Sequence, residues 1–539
     1  MQTKKYSYLV YPVFFLLLIF GSTHCHQNRK IVKNIILITL DTLRADHVSA
    51  YGNEYAETPN IDILAESGII FDTCYSPIPI TLPAHASLFH SLPPHELKVY
   101  NNGQILPEIK PSPSLASVFN QKGYDTAAFV SLGVLKSHFR LNSGFDVYDD
   151  KFPEERWYLT ASEINKKVFS WLDQPHPKPF FLWIHYSDPH DPYAPPTLAH
   201  DFRIDLNGRV HSEFCLQKRE IITCEFELIP GENTIDLVSL NEFPVPRDDY
   251  RISLNDFEPE DSDCLKVMYR NLTFYHQGDR QSAFIKKTGQ IKIFNSGSKM
   301  KWILRFQGNI NLFPSEMSEG YINEVKYLDS EIGKLTEHLR ETGLLENSTI
   351  VLVGDHGEGL GEHYSELGER YFGHIHYLYT FHTRIPLIIS DTSFKSTPLR
   401  ITEPATLMDI APTLLKWTDL SIPSAFKGKD LMDLKSSLPT TDVLFFETYS
   451  PEAVADRFGL QSYPWLLIYT PGGMIYELYD LQKDPKQQNN IYPSFQDNIL
   501  IRELTQKLNT RVRNILATKT EVEFDQNSRE ILRSLGYIK

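Results

Sequence analysis

Five short segments of this sequence carry residue types able to do chemistry together. Asp41 closes a long apolar run, Thr81-Leu82-Pro83-Ala84-His85 opens a second segment, and Asp188-Pro189-His190 lies in a third. Asp355-His356-Gly357-Glu358 and Gly373-His374 complete the set. Asp41, Asp355 and His356 supply two carboxylates and an imidazole, a mixed oxygen and nitrogen set suited to a divalent cation. Such a cation neutralises the nonbridging oxygens of an ester and lowers the pKa of an attacking hydroxyl. His190 is a loop histidine, and an imidazole of ordinary pKa, about 6.5, suits general-acid work near neutral pH.

The elements that must position these groups are legible in the hydrophobic pattern. Ile31 to Leu40 is dominated by Ile, Val and Leu and stops abruptly at Asp41-Thr42, as a central parallel strand buried on both faces would. Phe180 to Ile184 before His185, and Thr349 to Val353 before Gly354-Asp355-His356, repeat the arrangement. In open α/β sheets, ligands bind beyond the carboxyl ends of such strands. Tyr321, Val325, Leu328, Ile332, Leu335 and Leu339 are spaced as one face of an amphipathic helix closing near Gly343. Strand and helix alternation gives a layered α/β domain over 31–201 and 308–440. From 202 to 307 the texture changes to short β-rich stretches, among them 221–228, 234–240, 265–275 and 290–295, which predict an inserted β-sandwich-like module. Residues 441–539 read as a small α+β subdomain, with strands near 443–446, 465–469 and 475–479 and a helix over 498–516.

Composition narrows the partners. The 53 Lys and Arg against 68 Asp and Glu leave a net charge of −15, without the cationic block that nucleic-acid phosphates require. Residues 1–25 place Lys4 and Lys5 before an apolar run from Tyr8 to Phe20, followed by small residues and Cys25, which is a signal-peptide pattern. That run is shorter than the ~20 residues a spanning helix needs. Gly21-Ser22-Thr23-His24-Cys25 resembles a loose lipobox, so an exported, periplasmic or lipid-anchored protein attached to the cell envelope through an acylated Cys25 is the expectation. Cys74, Cys215, Cys224 and Cys264 are an even number in an exported chain, with Cys215 and Cys224 read as flanking one hairpin.

The order and context of the five segments resemble the sulfatase-like members of the alkaline phosphatase superfamily. The resemblance runs from about Asn34 to Ile389 apart from the β-rich insertion, and resumes at Glu477-Leu478-Tyr479-Asp480-Leu481 with Asp484-Pro485. It implies an alkaline-phosphatase-like α/β/α fold and a hydrolase of sulfate or phosphate esters. It also implies one or two divalent ions, Ca²⁺, Zn²⁺ or Mn²⁺, on Asp41, Thr81, Asp355 and His356. Thr81 falls where the family places its nucleophile, and His85 where a basic residue follows it. His190 matches a histidine that contacts the ester or leaving group, and His374 the place of a Lys or His over the transferred group.

Three positions depart from the pattern. Typical sulfatases carry a Cys or Ser converted to formylglycine where Thr81 stands, and the threonine methyl forbids that aldehyde hydrate, leaving direct attack by the hydroxyl. Thr42 replaces a second aspartate, which moves the expected ion from Ca²⁺ towards Zn²⁺ or Mn²⁺. Gly123-Tyr124-Asp125-Thr126-Ala127 continues into Ala128-Phe129-Val130-Ser131, without the family's cationic pair. The expected partner is a sulfated or phosphorylated small molecule, glycan or lipid. The competing readings are a phosphoethanolamine- or phosphoglycerol-type transferase and a catalytically silent glycan-binding protein.

Overall fold

The structure is a computed structural model, which describes residues 33–539 except 54, 109–111, 154–155, 192, 194–199, 217–220, 240–251, 256–264, 278–279, 309–316, 365–367, 369, 395–397, 434–442, 450–454, 521–523 and 535–539. The expected signal segment and Cys25 therefore lie outside the described residues. No described helix is long and apolar enough to cross a membrane.

An eight-stranded mixed sheet organises the catalytic region. Its spatial order is Leu399–Ile401, Gly68–Phe71, Leu387–Asp391, Ser348–Gly354, Asn34–Leu40, Phe180–Tyr186, Asp125–Phe129 and Val147–Asp149. The three strands that carry site residues at their ends are the three central neighbours, all parallel, with Leu40 level with Gly354 on one side and Tyr186 on the other. Each is buried along its whole length, which is why it reads as an unbroken apolar run rather than an alternating one.

Successive strand residues still point to opposite faces, and they separate into two cores. Ile35, Leu37, Phe181, Trp183, Val351 and Val353 pack on one side with Leu82, Ala84 and Ala86 of the helix Thr81–His90. Ile36, Ile38, Leu182, Ile184, Ile350 and Leu352 pack on the other with the helices Ala161–Leu172 and Met317–Glu341. The latter helix buries Tyr321, Val325, Leu328, Ile332, Leu335 and Leu339, the face expected from spacing. It ends before Gly343, whose φ of +70° is a left-handed value that favours glycine.

Between His200 and Gly308, eight strands form a five-stranded and a three-stranded sheet, with antiparallel pairing throughout. The strands of Cys215 and Cys224 do not make the expected hairpin: Arg209–Leu216 pairs with His200–Leu206, whereas Ile221–Leu228 pairs with Met300–Gly308 in the other sheet. Cys74 and Cys224 are free, buried thiols. Towards the carboxyl terminus, Leu444–Thr448, Arg457–Ser462, Trp465–Thr470 and Ile475–Asp480 form a four-stranded antiparallel meander, followed by the helix Ile499–Thr518.

Leu37 is fully buried between the central strand and the helix of Thr81. Leu37→Ala is expected to cost about 2–5 kcal/mol, read as a lowered denaturant midpoint at unchanged slope.

Candidate metal centre and nucleophile

The parallel register continues past the strand ends and brings the carboxylates together. The Asp41 amide donates to the Tyr186 carbonyl (2.9 Å), and the Asp355 amide donates to the Leu40 carbonyl (3.2 Å). Odd-numbered residues of the three strands face the helix of Thr81, and Thr39, Asp41, Asp355 and His185 continue that alternation. Glycines admit the backbone at two points. A Cβ on Gly354 would meet the Leu43 carbonyl oxygen at 2.7 Å, and one on Gly357 would meet that of Phe381 at 2.0 Å. The Gly in the Asp-His-Gly-Glu segment is thus a packing requirement for the turn that carries His356.

The two oxygens of Asp355 have different tasks. Oδ1 accepts from the amides of Thr42 (3.1 Å) and His356 (2.7 Å), while Oδ2 is buried without a hydrogen-bond partner among the described residues. Thr42 holds a left-handed φ of 57° and turns its hydroxyl to the Asp41 carbonyl, so the residue replacing a family aspartate supplies an amide to Asp355 instead. Burial, then the neighbouring Asp41 charge, raises the Asp355 pKa well above the usual carboxylate range. His356 Nδ1 faces the Gly357 carbonyl (3.1 Å), which can only accept, so Nδ1 carries the hydrogen and Nε2 the lone pair. That Nε2 lies 3.6 Å from Asp41 Oδ1, 3.5 Å from Asp355 Oδ2 and 3.3 Å from Thr81 Oγ1.

These separations fit one cation. Ligand atoms bonded at ~2.0–2.2 Å to a common ion stand roughly 3–4 Å apart. The candidate ligand atoms of Asp41, Asp355 and His356 all lie within 4.8 Å of one another, and so do those of His85, His185 and Asp355. Two adjacent buried carboxylates with an aimed imidazole lone pair form a divalent-metal site, and the orphaned Asp355 Oδ2 needs the charge such an ion brings.

Thr81 is the first residue of a ten-residue helix buried throughout. Its hydroxyl does not cap that helix; Asn102 does, its Oδ1 accepting from the Leu82 amide at 2.9 Å. Asn102 is 4 % exposed, and its Nδ2 has no partner among the described residues, leaving a buried donor beside the first turn. An anionic group is favoured there by the helix N-terminus.

His85 stands one turn along the same helix, with both nitrogens engaged by protein. Nδ1 donates to the Thr81 carbonyl at 2.8 Å, and burial pushes its pKa down to about 4, so the ring is neutral. Nε2 therefore accepts from the Thr39 hydroxyl (3.0 Å), which in turn accepts from the Trp183 indole (2.8 Å). This chain braces the turn that carries Thr81.

His190 and His374 lie together, ring centroids 5.2 Å apart, and the His374 ring is 4.5 Å from that of His356. His190 Nδ1 donates to the Asp191 carbonyl (2.7 Å), and His374 Nδ1 faces Glu358 Oε2 (3.4 Å). Burial raises the pKa of Glu358, against the opposing pull of His374. His363 lies elsewhere, stacked on Tyr379 at 3.9 Å with Nε2 on the Lys486 carbonyl. Among the residues that the sequence reading left without a role are Asn102, Thr39, Trp183 and Ser131. Thr39 alone gave a sign, as a hydroxyl inside an apolar strand.

Known proteins are similar to this chain over most of its length. The sulfatase family model matches residues 33–420, and the model described as N-sulphoglucosamine sulphohydrolase, C-terminal, matches 368–514. The chain is 24% identical over 498 residues to the N-acetylglucosamine-6-O-sulfatase of Bacteroides thetaiotaomicron, covering 85% of this chain and 82% of that one. It is 23% identical over 516 residues to the arylsulfatase of Clostridium perfringens, covering 87% and 94%. A solved structure in complex with its substrate D-glucosamine-2-N,6-O-disulfate superposes with a TM-score of 0.60 at 18% identity, covering 91% of this chain and 100% of the other. The phosphonate monoester hydrolase of Agrobacterium radiobacter gives 0.55 at 17% identity, covering 90% and 96%. At these identities the solved structures speak for the fold.

Asp355→Asn should act in opposite directions with and without metal. In metal-free protein it relieves repulsion from Asp41 and raises the thermal midpoint. With excess Zn²⁺ or Mn²⁺ the wild type gains stability, about 2.7 kcal/mol at 100-fold excess over Kd, and the variant does not. Calorimetry under both conditions measures this. Thr39→Val strands the His85 and Trp183 nitrogens and should cost about 1–3 kcal/mol by denaturation.

Proposed function

The chain belongs to the sulfatase family, hydrolases of the sulfuric-ester class, and from that premise we propose that it cleaves sulfate or phosphate esters by direct attack of Thr81. The observation that carries the reading is Thr81 Oγ1 at a buried helix N-terminus, 3.3 Å from His356 Nε2, which itself lies 3.6 Å from Asp41 Oδ1 and 3.5 Å from Asp355 Oδ2. The relatives named above include enzymes described as sulfatases of a sugar and of aryl esters, which supports a sulfated glycan or other sulfated small molecule as substrate.

In this reading Asp41, Thr81, Asp355 and His356 hold a divalent cation. When bound, the ion draws negative charge off the ester and favours the ionised threonine hydroxyl. The oxygen of Thr81 attacks sulfur or phosphorus while Asn102 Nδ2, the buried donor beside the first helical turn, receives a nonbridging oxygen. His190, with Nδ1 on the Asp191 carbonyl, and His374, beside Glu358, would contact the ester or give the leaving oxygen its proton. Water then releases the sulfate or phosphate from Thr81, and the hydroxyl is restored.

The threonine methyl favours a phosphoester as a second substrate class, because it blocks conversion to formylglycine but leaves nucleophilic attack intact. Aryl sulfate, aryl phosphate and bis-aryl phosphate, each assayed with Zn²⁺, Mn²⁺ or Ca²⁺, separate the possibilities. Turnover of the sulfate ester supports the sulfatase reading, turnover of phosphate esters alone retires the sulfate substrate, and no turnover with metal bound retires hydrolysis. Thr81→Ala should lower turnover at least about 10³-fold while Thr81→Ser keeps measurable activity. Wild-type rates in the alanine variant would remove Thr81 from the mechanism.

A further inference from the structure

We propose that His185 is an additional ligand of the cation pocket, presented to it by a hydrogen-bond relay from Ser187 through Ser131. The inference rests on the metal-dependent reading above and assigns positioning roles to two serines.

The relay follows from counting hydrogens. Ser131 Oγ donates to Ser187 Oγ at 2.8 Å, and Ser187 Oγ donates to the Ser131 carbonyl at 3.5 Å. A serine hydroxyl has a single hydrogen, so towards His185 the Ser131 oxygen can only accept. His185 Nδ1, 2.9 Å away, must therefore be the donor. A neutral imidazole has one ring hydrogen, so with that hydrogen on Nδ1 the Nε2 atom carries a lone pair.

That lone pair points into the site. His185 Nε2 is buried, has no hydrogen-bond partner among the described residues, and lies 3.8 Å from Asp41 Oδ2. Two electron-rich atoms at this distance repel in a low-dielectric interior, and a cation between them turns the repulsion into two bonds. The spacing belongs with the 3.6 Å and 3.5 Å from His356 Nε2 to the aspartates.

His85 has the opposite fate, although its ring centroid is 5.0 Å from that of His185. Its Nδ1 hydrogen goes to the Thr81 carbonyl and its Nε2 lone pair takes the Thr39 hydrogen, so nothing remains for an ion. Of the two histidines clustered with Asp355, His185 is the ligand and His85 the brace. Ser131 also lies on the stretch that lacks the family's cationic pair.

Zn²⁺ affinity of the full chain, measured by chelator competition after metal removal, tests the relay. His185→Gln and Ser187→Ala should each weaken binding about 10–100-fold, the range for orienting partners of metal ligands. Ser187→Ala acts at a distance: it frees the Ser131 hydrogen for His185 Nδ1 and moves the ring hydrogen to Nε2. Thr39→Val, which strands the His85 and Trp183 nitrogens but removes no contact of His185, should weaken binding by no more than about threefold if His85 is no ligand. In metal-free protein with ¹⁵N-labelled histidine, His185 should show a protonated Nδ1 and bare Nε2, reversed in Ser187→Ala. A wild-type Nε2–H, or wild-type affinity in both His185→Gln and Ser187→Ala while Asp355→Asn has lost Zn²⁺, overturns the assignment and leaves the metal site standing. Wild-type affinity in Asp355→Asn as well brings down the metal reading and this inference together.

Discussion

Two carboxylates meet in a place with almost no water, and most of the site is a response to that meeting. Asp41 and Asp355 sit at the ends of adjacent parallel strands whose ladder continues one residue beyond each, so backbone pairing alone fixes their proximity. Both are fully buried. Like charges so placed are costly unless an opposite charge joins them. The neighbouring histidines, held neutral by burial, do not supply that charge. Hydrogen bonds instead distribute the acceptors: the Thr42 and His356 amides satisfy one oxygen of Asp355, and the Gly357 carbonyl orients His356.

Thr81 inherits its position from the same alternation. Leu82, Ala84 and Ala86 pack on the face of the sheet lined by Leu37, Trp183 and Val353, which sets the helix start above the strand ends. Thr39, one step before Asp41 on that face, joins the strand to His85 and through it to the Thr81 carbonyl. A change at Thr39 thus reaches the Thr81 backbone through two hydrogen bonds.

Much of this was legible because its signals were local. Unbroken apolar runs ending in Asp or His gave the three central strands, and a helical spacing gave the Tyr321 to Leu339 face. Thr81, His85, Asp355 and His356 were found by type and order. Other parts depend on contacts that no window of sequence contains. Asn102 acts on Leu82 from twenty residues away, and Ser131 meets His185 across fifty-four. Serine and asparagine carry no hydrophobic period, so nothing in their surroundings announced them. The Cys215 and Cys224 strands failed for the same reason, since adjacency in sequence suggested a hairpin while the pairing partners lay up to about eighty residues away.

The β-rich segment leaves and re-enters the catalytic region at one place. Tyr193, just after His190, packs edge to face on Tyr321 at 5.6 Å, and the Tyr321 hydroxyl donates to the Thr42 carbonyl at 2.7 Å. Exit and return are thus stapled to the turn behind Asp41. Everything spliced between those two rings is closed off at its base, and the free energy of closing a loop grows only as the logarithm of its length. A longer or shorter segment between those two rings would therefore change the cost of closure only slightly.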